Sequence, residues 1–192
     1  MDFTGIKVGI AVTGSFCTFG KVKEAIRHLV NLGAEVLPIF SDNAQRMDTR
    51  FANAQEFMRE IEELTGHTIV KTIPEVEPLG PGNAIDVLLI APCTGNTLAK
   101  LANGITDTPA LMAAKGHLRN GKPLVISVST NDGLGVNFQN IGKLFNSKNI
   151  YFVPFGQDNP EEKPYSLAAD VNQIPQTLEK ALKGKQRQPV LR

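Results

Sequence analysis

The chain has 192 residues, 42% of them apolar, and a formal net charge of +1, a length that suits one domain with a sizeable core and is short for two. Near-neutral charge gives no electrostatic reason to expect a nucleic-acid or membrane-surface partner. Its two cysteines, Cys17 and Cys93, lie far apart, with no CxxC and no His/Cys cluster at zinc spacing, which argues against a disulfide framework or a structural metal.

No apolar run approaches the roughly 18 residues of a membrane span. Asp2 and Lys7 interrupt the N-terminus too early for a signal peptide, so a cytoplasmic protein is expected. Lys7–Val12 (KVGIAV) reads as a strand and runs into the turn TGSFCT. From Phe19 to Leu32, Val22, Ala25, Ile26, Leu29 and Val30 share one helical face, and Gly33 stops the helix. Glu35–Phe40 is a second strand, ending in the polar SDNAQ. Asp48 is placed to cap a helix over Thr49–Leu64, and Thr68–Ile73 reads as a short third strand. The Pro- and Gly-rich stretch Pro74–Asn83 is unsuited to a helix interior.

Asp86–Pro92 (DVLLIAP) is nearly unalternating, as expected of a central parallel strand covered on both faces. Helices are predicted over Asn96–Asn103 and Thr108–Leu118, a buried strand over Pro123–Ser129, a helix over Phe138–Phe145 and a last strand over Tyr151–Phe155. A polar loop covers Gly156–Ser166 and a closing helix Gln173–Lys183. One domain over residues 1–184 is expected, with a basic tail at 185–192 that is expected to fray. Strands alternating with helices predict an α/β fold, a single doubly wound, mainly parallel Rossmann-like sheet flanked by helices.

In such a sheet, ligands sit in the crevice outside the carboxyl ends of the strands. That rule selects four loops rich in small polar residues: TGSFCT, SDNA, APCTGNT and VSTNDG. Gly14 permits a sharp turn that brings the amides of Ser15 and Phe16 toward a ligand, and the following helix points its positive end there, which favours a phosphate. A plain Gly-Ser helix entry with a hydroxyl cap explains this loop equally well. The fingerprint G-x-G-x-x-G and a Walker lysine are both absent, which favours a mononucleotide over a dinucleotide or ATP. In APCTGNT, Pro92 ends the strand, Gly95 keeps the backbone accessible, and Asn96 offers donors and acceptors at a helix start.

APCTGNTLAKLANGITD resembles the PASANT segment of the homo-oligomeric flavin-containing cysteine decarboxylases, a flavoprotein family. The likeness covers roughly residues 5–155 and includes the Gly14-Ser15 turn and Ser41 after the second strand. It implies FMN, with Gly14, Ser15 and Ser41 about the phosphate and Thr94, Gly95, Asn96 and Thr97 along the flavin; Phe16 joins the expected cofactor-binding residues through its amide in the first loop. It also implies a trimer-based homo-oligomer with the flavin site between protomers. Cys93 and Gly95 depart from the family's Ala/Ser and Ala. The decarboxylases carry a histidine eight residues before the aspartate of the central strand, where this chain has Pro78. Their P-x-M-N loop here reads VSTNDGLG, keeping only Asn131. His28, His67 and His117 do not fit the missing place and are expected to be surface or capping residues.

Further stretches, LGPGNAID and FGQDNPEEKPYSL among them, resemble a family member of endospore formers. That resemblance implies oxidation of a dihydrodipicolinate-type precursor to pyridine-2,6-dicarboxylate beside a separate dehydrogenase-like polypeptide, with NADP expected on that partner. Aromatising a dihydropyridine removes a hydride and a proton, and the dicarboxylate substrate needs cations or amides. Arg46, Arg50 and Lys163 are the candidate cations, although a solvated surface charge is the commoner reading of each, and Asn131 and Lys163 are the candidate substrate contacts. No residue stands out as a catalytic base, and none as a metal ligand. Three readings stay open: one polypeptide of an oxidoreductase, an FMN-dependent decarboxylase, and a non-catalytic assembly partner.

Overall fold

Runs of Val, Ile and Leu set the centre of the molecule. In the computed structural model, which describes residues 1–80 and 84–192, β3 (Val87–Cys93) is buried at all seven positions. It lies between β1 (Lys7–Val12) and β4 (Leu124–Thr130), parallel to both. β2 (Glu35–Phe40) joins β1 on its other side, also parallel. The order β2-β1-β3-β4 puts the reversal of winding between β1 and β3, where the doubly wound fold opens its crevice.

Alternation along the strands feeds two cores. Val8, Ile10, Val12, Val87, Leu89 and Ala91 face one side, against α1 (Phe19–Asn31), α3 (Ala54–Thr65) and α8 (Ile174–Leu182). Leu88, Ile90, Ile126 and Val128 face the other, against α5 (Gly95–Ala102), α6 (Pro109–Arg119) and α7 (Phe138–Phe145). Covering both faces is what lets β3 read as one apolar run.

The far edge of the sheet is mixed. The first half of β4 pairs in parallel with β5 (Ile150–Phe152), while its end pairs antiparallel with β7 (Leu167–Ala169), through Ser129↔Ala168 and Thr130↔Leu167. β6 (Phe155–Gly156) pairs antiparallel with β7, so residues 157–166 form the loop of a hairpin above the carboxyl edge.

Three expectations are corrected. Thr68–Ile73 is no ladder strand: only Val70 bridges Ile39, because a capping box of Thr72 and Glu75 starts the short helix α4 (Ile73–Val76) within it. Pro74 lies in the first turn of that helix and not in a helix interior, as expected, at a place where proline's missing N–H costs nothing; positions 81–83 of that stretch lie outside the described residues. The helix expected from Thr49 begins only at Ala54, because Thr49 and Ala52 bridge each other and Asn53 is the cap, accepting from the Glu56 N–H at 3.0 Å. Asp48 reaches the same helix end from further back, accepting from the Ala54 N–H.

The third correction is the tail, which is not frayed. Gln186 mimics a strand beside β5, its side-chain amide giving to the Phe152 carbonyl (2.7 Å) and accepting from the Phe152 N–H (2.8 Å). Phe155 then gives to the Val190 carbonyl and accepts from the Arg192 N–H. These bonds hold the backbone although most of the tail's side chains are exposed. The loops from β1 to α1, from β2 to α2 (Asp42–Arg46) and from β3 to α5 converge on one edge of the sheet. No helix among the described residues is long and apolar enough to cross a membrane.

Candidate functional site

Buried Thr13, at the end of β1, ties the first loop to the third. Its hydroxyl donates to the Pro92 carbonyl (2.6 Å) and accepts from the Thr94 N–H (3.2 Å). Gly14 follows, then Ser15, whose N–H closes a tight turn on the Thr13 carbonyl at 2.8 Å. The Ser15 hydroxyl meets that of Ser129 at 2.7 Å, joining the first loop to the end of β4. Phe16 turns back onto Phe19, ring centroids 5.1 Å apart, and a Cβ on Gly14 would stand 3.5 Å from its ring.

Ser41 ends β2 and donates its N–H to the Val12 carbonyl. Its hydroxyl oxygen is buried and has no hydrogen-bond partner among the described residues, a state that buried polar atoms rarely keep without a reason. In the third loop the cap of α5 is Thr94, not Asn96: the Thr94 hydroxyl accepts from the Thr97 N–H and lies 2.9 Å from the Thr97 hydroxyl. Asn96 is exposed, one step into the helix.

These loops frame two hollows with a common wall at Thr94. The first, about 440 Å³, is lined by Thr13, Gly14, Ser41, Asn43, Asn96 and Thr97 among others. The second, about 350 Å³, is lined by Ser15, Gly95, Ser129, Asn131 and Lys163, with Lys21 and Asp158 at the same surface. Nine of the ten expected site residues thus border one hollow or the other; Phe16 borders neither and serves the core instead. Of the other candidate cations, Arg50 lies over the Phe51 ring at 4.8 Å, and neither it nor Arg46 borders a hollow.

Behind the second hollow sits a polar cluster that the pattern of residues did not disclose. The Asp132 carboxylate accepts from the Thr130 hydroxyl and, at 2.9 Å to each oxygen, from the Asn137 amide. A Cβ on Gly95 would come within 2.5–2.7 Å of Asn137 Nδ2, Thr130 Oγ1 and Asp132 Oδ1. Gly95 therefore departs from the family's alanine because this cluster fills the space. Lys21, Ser129 and Asp158 were also missed. Ser129 belongs to a selected loop, but Lys21, in the first turn of α1, shares the hollow with Asp158 and Lys163 of the 157–166 hairpin, a juxtaposition that no local spacing encodes.

Pro78 lies on an exposed turn whose neighbour Gly80 packs against Gly116, in the last turn of α6. The first hollow is at the opposite end of that helix, bordered by Thr108 and Leu111. His117 is neither surface nor cap: it is 6% exposed, its Nε2 3.0 Å from the Pro123 carbonyl, and burial pushes its pKa down to about 4. His67 lies 3.7 Å from Glu35 on the surface. Burial raises the Cys93 thiol well above the usual range, so it stays neutral packing.

The model of the Flavoprotein family matches residues 2–181. The B subunit of dipicolinate synthase from Bacillus subtilis (strain 168) is 48% identical over 187 residues, covering 97% of this chain and 94% of that protein. The crystal structure of the B subunit of dipicolinate synthase from Bacillus halodurans C is similar with a TM-score of 0.92 and 48% identity, covering 100% of this chain and 98% of that one. The FMN-dependent cysteine decarboxylase SpaF, 24% identical with a TM-score of 0.67 over 93% of this chain and 98% of its own, shares the fold. A family match across nearly the whole chain, on a doubly wound sheet with its polar loops gathered at the switch point, settles the membership: the chain belongs to the Flavoprotein family.

Proposed function

We propose that this chain is the flavin-fold component of a dipicolinate-forming oxidoreductase, working with a dehydrogenase-like partner, the A subunit of dipicolinate synthase, on which NADP binds. The observation that carries the reading is the 48% identity to the B subunit of a dipicolinate synthase over 97% of the chain. The decarboxylase reading lacks its histidine, since Pro78 holds the place and faces the other end of α6.

The first hollow fits FMN. The orphaned Ser41 hydroxyl can give a hydrogen bond to a phosphate oxygen with a small rotation, and Gly14 leaves the approach open. The Ser15 amide is already engaged by the Thr13 carbonyl and its hydroxyl by Ser129, and neither Ser15 nor Phe16 borders this hollow, so the phosphate contacts within it fall to Gly14 and Ser41. Thr94, Gly95, Asn96 and Thr97 supply the wall for the ring system, and bound FMN supplies a two-electron acceptor there. Asn131 and Lys163 face the neighbouring hollow, where the substrate carboxylates would be held. Exposed Ile105, Val136, Phe138 and Phe145, on and around the helices α5 and α7, support a trimer-based homo-oligomer that covers them.

Reconstitution tests the reading. With purified precursor, FMN and NADP, the two proteins mixed should form dipicolinate at a rate that neither reaches alone. Full turnover by the dehydrogenase-like partner without this chain would overturn it, as would a purified chain that binds no flavin.

A further inference from the structure

We infer that Lys21 and Lys163 form a two-point clamp for the paired carboxylates of the substrate, one lysine to each, across the second hollow. The inference rests on the dipicolinate reading above and adds to it the residue that recognises the second carboxylate.

The two lysines come from elements far apart in the chain, the first turn of α1 and the hairpin loop after β6, yet both line the same hollow. Among the described residues neither has a carboxylate within 4.0 Å, whereas Lys7, Lys23, Lys100 and Lys183 each pair with one. Lys21 is moreover placed against its own helix: the first turn of α1 holds no acidic residue, and a cation there opposes the helix dipole. Helix stability does not explain a lysine at that position, whereas an anion that sits between it and Lys163 does.

Lys163 is presented by a built turn. Its N–H donates to the Asn159 carbonyl (2.8 Å), its carbonyl accepts from Ser166 (3.0 Å), and the Gln157 amide donates to the Pro164 carbonyl (2.9 Å). The Leu134 N–H holds the Tyr165 carbonyl, fastening the loop to the segment after β4. Much of the ordering cost of a clamp is thereby met before ligand arrives. Asn131 and Ser129 line the same hollow, and Thr94 borders both it and the proposed flavin space, so a ring clamped here lies beside the electron acceptor. Asp158 also borders the hollow and opposes an anion.

Calorimetric titration of the FMN-loaded protein with pyridine-2,6-dicarboxylate and with pyridine-2-carboxylate tests the clamp. The wild-type chain should prefer the dicarboxylate. Lys21→Met and Lys163→Met should each weaken dicarboxylate binding about tenfold, from the loss of one charge-assisted contact, and abolish the preference while leaving the flavin spectrum unchanged. Lys21→Arg should restore most of the loss, and Asp158→Asn should tighten binding. Wild-type affinity in either methionine variant would overturn the inference, and so would equal loss of both ligands or no binding by the wild-type chain. If binding depends on both lysines but the mixed proteins form no dipicolinate, the clamp stands and the proposed function falls; full dipicolinate formation with Lys21→Met at wild-type KM sinks the clamp alone.

Discussion

Gly95→Ala is the sharpest probe of the site's architecture, because general rules predict the opposite of what this structure demands. In the first turn of a helix, alanine in place of glycine is worth up to about 1 kcal/mol of stabilisation, and alanine is the residue that the family pattern carries here. In this chain the new Cβ would meet three polar atoms at 2.5, 2.6 and 2.7 Å, each needing to retreat by about 1 Å to reach an ordinary contact. Those atoms belong to Asn137, Thr130 and Asp132, which hold one another by three hydrogen bonds to the Asp132 carboxylate. Breaking even one such bond to a charged group costs about 1.5–3 kcal/mol. The net expectation is a loss of about 1–2 kcal/mol, which at this chain length lowers the melting temperature by about 2–8 °C. Circular-dichroism melts and urea titration read it directly. The same substitution in an Asp132→Ala background should cost less than half as much, because the remaining side chains are then free to turn. A Gly95→Ala protein as stable as wild type would refute the reasoning, and equal losses in both backgrounds would show that the cluster is not what resists the methyl group.

Ser41→Ala removes a hydroxyl that bonds to nothing among the described residues, so the flavin-free protein should be no less stable, or more stable by up to about 1 kcal/mol. Its FMN affinity should fall about tenfold by fluorescence titration, and unchanged affinity would remove Ser41 from the phosphate contacts. Gln186→Ala deletes both hydrogen bonds to Phe152 and should cost about 1–2 kcal/mol in urea unfolding, with faster amide exchange at Phe152; no change would mean that the tail is not a structural element. His117 has a folded pKa lowered from 6.5 to about 4 by burial, so between these values the unfolded chain binds the extra proton and stability falls as pH falls, by about 3 kcal/mol in full. His117→Gln should flatten that slope between pH 6.5 and 4, and a wild-type slope in the variant would mean that other groups carry it.

What could be read from the sequence was the part governed by local periodicity. β3 announces itself because helices cover both its faces, and the four polar loops follow from where strands end. What escaped was either a local cap set against a strand-like composition or a contact with partners distant in the chain. Val70 has the composition of a strand residue, yet Thr72 and Glu75 close a capping box that ends extension three residues before the expected limit. The tail looks disordered by charge, but the Gln186 amide copies the hydrogen-bonding face of a backbone and finds the free edge of β5. Asp132 and Asn137 stand five residues apart and show their relation to Gly95 only once α5 is laid against the loop after β4. The candidate site was legible to the same degree. Its hydroxyls and glycines sit in strand-end loops, while Lys21, on a helix that belongs to the opposite core, gives no local sign of facing the hollow.

The two hollows differ in what they can do, and that difference bears on why a second protein would be needed. The first is walled mainly by hydroxyls, amides and small residues that suit a phosphate and a planar ring, with Asp42 and the Lys100–Asp107 ion pair at its border and no histidine bordering it among the described residues. The second adds Lys21, Lys163 and Asp158, a set that can hold a dicarboxylate, but no histidine borders it among the described residues. The one buried histidine, His117, is committed to the Pro123 carbonyl beyond the far end of α6 and stays neutral down to about pH 4. Aromatisation needs a proton acceptor working near neutral pH as well as a place for two electrons. On the proposed function, this chain provides the electron acceptor's cradle and the grip on the carboxylates. Proton transfer is then the step assigned to the dehydrogenase-like partner, and the pH profile of the mixed enzyme should follow ionisable groups of that partner and not those of this chain. A pH profile of the mixed enzyme displaced by Asp158→Asn would place that step here instead.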